Sequence, residues 1–269
     1  MTDKTAETTE QVKTMVASPL MFTEIKDKYK ELADKYPSTK DLQYRTLSST
    51  WREQVSAKAI GLLGLLAYWS SNNMDYDNYA VSRINPIWIA RKLGYAEKQA
   101  SRHTKQIQQL LLELHHAELI KIRPDHATKT QTIEIINEKD QANGYCKLYS
   151  PAVQVIIEQS KGMAMLYNMA IYVAIRSITF ESTNATMTRT PTNLGSMLDL
   201  SVTTVQKHLA WLRDHGALCY YKLVLANEYH TVKYVYSDPV NVKDLTAWTI
   251  DHLIAKDPRL KHYIAKVVA

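Results

Sequence analysis

A mainly α fold of the α+β class, with small β-hairpins, is what this 269-residue sequence predicts, and three observations lead there. Asn85, Pro86, Ile89 and Leu93 recur 105 positions later as Thr190, Pro191, Leu194 and Leu198, and self-similarity at a fixed offset marks a repeated supersecondary unit. Around each set, apolar residues fall at helical spacing and then give way to alternation, the change of period that separates helices from strands. The 45% hydrophobic content is that of a globular chain, and no apolar run reaches the roughly 18 residues needed to cross a bilayer.

A chain of this length is expected to hold two domains of ordinary size, each burying its own core. Residues 1–18 are rich in Thr, Lys and Glu and lack the apolar segment and cleavage site of a secretory signal, so they read as a disordered tail. Residues 19–48 form an N-terminal helical segment in this reading, with an amphipathic helix over Phe22 to Lys35. The first copy occupies 49–140 and the second 141–239; residues 240–269 form a C-terminal helical segment broken near Pro258.

The first copy opens with a helix over Ala57 to Ser70 that has almost no polar face, so it must be covered on more than one side. Met163 to Ser177 is its counterpart, with Met165, Leu166, Met169, Ala170 and Val173 at helical spacing. After a polar connection, Asn85 and Thr190 are placed to accept from free amides at the start of a second helix. Pro86 and Pro191 follow, where a missing N–H is harmless. In the second copy the turn Asp199-Leu200-Ser201 leads to a helix over Val202 to His215, capped by Ser201, facing inward through Val205, Leu209 and Leu212 and ended by Gly216. In the first copy Ile107, Leu111 and Leu114 match those inward residues at an offset of 98, so about seven extra residues are expected in a longer turn or an extended helix start at Gly94 to Ala100. Each copy closes with a hairpin: Ile120 to Arg123 with Gln131 to Ile136, and Leu218 to Leu225 with Thr231 to Tyr236.

The net charge of +6 and isoelectric point near 9.0 bias the chain toward polyanions. Cys146 and Cys219 have no CxxC spacing, which points to a reducing, cytoplasmic setting and core or surface thiols. The seven glycines form no GxxxxGK[ST] loop, no GxSxG elbow is present, and His115-His116 lacks HExxH or HxH company. The expectation is therefore a protein that is not an enzyme and takes no cofactor or metal.

The order apolar helix, Pro-started helix, turn, helix ending near Gly-x-Leu and hairpin resembles the winged helix-turn-helix family. Residues 191–218, PTNLGSMLDLSVTTVQKHLAWLRDHGAL, carry the likeness best, and the two copies extend it over about Ser49 to Asp238. The resemblance implies two tandem winged-helix domains plus terminal helices. In a basic chain it further implies sequence-specific binding of double-stranded DNA, as in plasmid or phage replication initiators that occupy repeated origin sites. Thr203, Thr204, Gln206, Lys207 and His208 are then the readers of the second copy, and Arg102, Lys105, Gln106, Gln108 and Gln109 those of the first. Lys121, Arg123 and Lys129, with His126, would neutralise phosphates from the first wing. A homodimer and host replication proteins are further partners, the protein lying with the nucleoid or plasmid and away from membranes. Transcriptional regulators, partition adaptors and scaffolds that bind no DNA share the fold and stay open as alternatives.

Overall fold

The computed structural model of the chain describes residues 44–48, 55–72, 79–136, 145–178, 190–224, 231–239, 245 and 265–266. The expected tail, the helix at Phe22 to Lys35 and most of the C-terminal segment lie outside the described residues. The protein is mixed α and β, with small antiparallel sheets. Chain contacts divide it into two units, one made of Leu42–Glu181 and Pro191–Ala217, the other of Met1–Asp41, Ser182–Thr190 and Leu218–Ala269.

In the first of these units, strand β1 (Tyr44–Ser48) precedes α1 (Ala57–Trp69), β2 (Ser71–Asn72), β3 (Tyr79–Ile84), α2 (Pro86–Lys92), α3 (Glu97–His116), β4 (Ile120–Asp125) and β5 (Thr130–Ile135). Then come β6 (Tyr145–Tyr149), α4 (Ser150–Gln159), α5 (Gly162–Ile178), α6 (Pro191–Leu198) and α7 (Val202–Asp214). The start signals act as expected where their bonds are seen. The Asn85 side chain accepts from Trp88 N at 2.8 Å, and Ser201 Oγ accepts from Thr204 N at 3.2 Å. Helix α6 begins at Pro191. β6 and α4 come from stretches the sequence left without assignment, and β2 and β3 stand where only a polar connection was expected. β1 corrects the expected N-terminal helical segment over 19–48: its last residues, Tyr44–Ser48, are a strand because β6 is there to pair with them.

Helix α1 is buried from Ala57 through Ala67 apart from Lys58, and it packs most extensively on α5, its counterpart in the second copy. This corrects the expectation of two separate cores: the corresponding apolar helices of the two copies are each other's cover. Gly61 permits the close approach, because a Cβ there would lie 2.0 Å from the Leu166 carbonyl oxygen. Strand β1, just ahead of the first copy, pairs antiparallel with β6 near the start of the second, Thr46 opposite Lys147, so strands join the copies as well as helices. A four-stranded sheet in the order β2-β3-β5-β4 presents Val81, Ile120, Ile133 and Ile135 to the core.

In the other unit, β7 (Cys219–Val224) pairs with β8 (Thr231–Ser237) and with β9 (Ala265–Lys266). The last of these replaces helix with strand at the end of the predicted C-terminal helical pattern. Tyr220, Tyr234 and Tyr236 cluster with ring centroids 5.7 to 6.0 Å apart. Cys219 is buried, its thiol donating to Ser237 O at 3.2 Å and pushed up in pKa by burial; Cys146 is buried as well.

Candidate nucleic-acid interface

The two helix pairs, α2 with α3 and α6 with α7, turn in the same way. Tyr95 N donates to Ala90 O at 3.2 Å and Leu200 N to Gly195 O at 2.9 Å, and a left-handed residue sits in each turn, Gly94 at φ 83° and Asp199 at φ 50°. All of these correspond at the offset of 105. The far ends of α3 and α7 also match: Leu119 N donates to Leu114 O at 3.0 Å and Ala217 N to Leu212 O at 2.8 Å, after left-handed Glu118 and Gly216. These correspond at an offset of 98.

Helix α3 therefore has 20 residues against 13 in α7, and the extra seven are inside the helix, not in a longer turn. Seven residues are about two full turns, so the inserted length leaves the buried stripe in line. Counted from the turn geometry the two copies share, the counterparts of Thr203, Thr204, Gln206 and Lys207 are Lys98, Gln99, Ser101 and Arg102, all exposed. Of these only Arg102 was among the sequence-derived candidates. The signal that finds the others is the distance from the turn, which apolar spacing alone does not contain.

On α7, Thr203, Gln206 and Lys207 are exposed opposite buried Val205, Leu209 and Leu212. Thr204 is half-buried, its hydroxyl 2.8 Å from Ser201 Oγ. On α3, Lys105, Gln108 and Gln109 are exposed and Gln106 is half-buried. Gln109 stands about 10 Å along the axis from Arg102, where it lines a groove with Leu112, Glu113, His116 and Ala117. Glu113 accepts from the Ser56 N–H and hydroxyl, tying the added turns to the start of α1. Arg91 is ion-paired with Glu97 across the turn, and Lys92 lies over the Trp88 ring at 5.4 Å.

His208 is a correction. It is 6% exposed, and its Nδ1 lies 2.6 Å from Asn168 Oδ1 of α5, with the ring against Tyr167. Asn168 is itself 1% exposed in an otherwise apolar helix, and a buried amide needs a partner. Since Oδ1 only accepts, His208 donates through Nδ1–H and faces inward, away from any surface ligand. Burial, helped by the neighbouring Lys207 charge, lowers its pKa to about 4. The unfolded chain, with His near 6.5, then takes up a proton that the folded state refuses. Stability is full above about pH 6.5 and declines as pH falls toward 4. Urea midpoints measured at pH 7 and 4.5 should fall further for the wild type than for His208→Gln, which does not titrate; equal falls would remove His208 as the source.

The β4–β5 hairpin carries the remaining candidates. Asp125 shapes its tip by accepting from Ala127 N at 3.0 Å and from the Thr128 hydroxyl at 2.6 Å. That hydroxyl is the main cause holding the carboxyl below its ordinary range, and the charge of Arg83 adds to it. His126 and Lys129 are exposed at the tip, Lys129 in the left-handed region at φ 55°. Lys121 is exposed, and Arg123 is paired with Glu134 at 3.0 Å. The tip of the β7–β8 hairpin lies outside the described residues.

Among the described residues no group of His, Cys, Asp and Glu could hold a metal ion, and no helix is long and apolar enough to cross a membrane. No protein-family model, curated protein or solved structure matches the chain.

Proposed function

We propose that the protein binds double-stranded DNA sequence-specifically through two winged-helix units, over residues 49–140 and 141–239, and acts as a plasmid or phage replication initiator. The observation that carries this reading is the pair of exposed helix starts, Lys98, Gln99, Ser101 and Arg102 on α3 and Thr203, Gln206 and Lys207 on α7, each presented by the same turn. Gln matches the adenine edge and Arg or Lys the guanine edge of the major groove, and the first turns of a recognition helix are the part that reaches base edges. Support also comes from the first copy's topology, in which β3 joins the β4–β5 hairpin through β5. The initiator assignment draws on the tandem arrangement and the net charge of +6. Selection of bound sequences from a random duplex pool tests it. Directly repeated sites support an initiator, a single inverted operator assigns a regulator instead, and absence of enrichment removes DNA as the ligand.

A further inference from the structure

Strand β3 does not run regularly into α2. Its pairing with β5 shifts by one residue between Val81 and Ile84, so Ser82 and Arg83 together stand opposite Thr132. Arg83 takes up the bulge with φ 56°, a left-handed conformation that glycine adopts without steric cost and that an arginine pays for in backbone strain. The position is fixed from both sides, by the β3–β5 ladder and by the Asn85 cap of α2 two residues later. Bulges re-aim side chains, and the Arg83 side chain is exposed.

The surroundings state what such a side chain can meet. Thr132 pairs on its other edge with Arg123 of β4, so Arg83 and Arg123 occupy one row across the sheet, with exposed Lys121 further along β4. Arg123 is already neutralised by Glu134. Among the described residues Arg83 forms no ion pair, and its charge acts on the Asp125 carboxyl at the hairpin tip. A strained, exposed guanidinium beside Lys121 and Lys129 of the hairpin suits an oxyanion whose two free oxygens can accept parallel N–H bonds, as a phosphodiester's can.

Resting on the DNA-binding reading above, we propose that Arg83 is a phosphate-binding residue of the first winged-helix unit, aimed by the β3 bulge at the DNA backbone beside the β4–β5 wing. It adds to affinity without reading sequence, because phosphate contacts position a protein on the duplex and base contacts specify the site. Its strained backbone is retained for the side chain it delivers.

The test is binding of the full chain to a labelled random-sequence duplex across a salt series, with wild type, Arg83→Gln, Arg83→Lys and Arg83→Gly. Loss of one phosphate contact lowers the slope of log affinity against log salt by about 0.9 in magnitude. That decrease is expected for Arg83→Gln and Arg83→Gly, with Arg83→Lys keeping the wild-type slope. Arg83→Gly should also raise the thermal midpoint by relieving the strain, which separates lost binding from lost folding. A wild-type slope in Arg83→Gln overturns the assignment of Arg83 and leaves DNA binding standing. A wild type without salt-dependent binding overturns both.

Discussion

Gly61→Ala is expected to destabilise the protein by roughly 3 kcal/mol, although the same change at an exposed helical position would stabilise by up to about 1 kcal/mol. The sign is set by the helix crossing. The new Cβ would meet a backbone oxygen, Leu166 O, at 2.0 Å, with the Leu166 carbonyl carbon at 2.7 Å, and a carbonyl inside a buried helix cannot swing aside as a side chain can. Relief requires α1 and α5 to separate, which opens gaps along the pair that joins the two copies. Gly64→Ala is the internal comparison. Its Cβ meets the ends of Met169 and Val173 side chains at 2.7 and 2.8 Å, and a methionine can adopt another rotamer. Denaturant unfolding should therefore rank Gly61→Ala well below Gly64→Ala; equal stability would mean that the two helices do not approach at Gly61.

The second large effect concerns which residues read DNA. With Gln206→Ala and Lys207→Ala combined, affinity for the selected site should fall by about 1 to 3 kcal/mol per lost base contact. In α3 the turn-based register assigns the same role to Gln99 and Arg102, so Gln99→Ala with Arg102→Ala should weaken specific binding by a similar amount. Gln108→Ala with Gln109→Ala should leave it within about 0.5 kcal/mol, the usual effect of a surface change away from special features. The contrast decides between the two registers of α3 directly. If the Gln108 and Gln109 pair carries the larger loss, the added turns belong at the helix start and Lys98 to Arg102 lie off the groove.

Features that depend on a few neighbouring residues are legible in the amino-acid order. Asn85 with Pro86, and Ser201 ahead of Val202, mark helix starts because a cap needs only its own side chain and the amides two or three residues on. The buried stripe of α7 follows from spacing alone, as does the existence of the β4–β5 hairpin. The rest depends on packing between distant parts of the chain. A helix apolar on every side, such as α1, announces that it is covered but not by what, and its cover is α5 at a distance that Gly61 sets. The position of the seven added residues in α3 was invisible to periodicity, since about two whole turns return the apolar stripe to its starting face; the hydrogen-bonded turns at the two ends distinguish them. His208 reads as a surface residue near the start of a recognition helix until Asn168, forty residues earlier in the chain, is seen to need its proton. Strand β3 and the left-handed Arg83 exist because β5 is there to pair with, a contact between residues roughly fifty apart that no local pattern encodes.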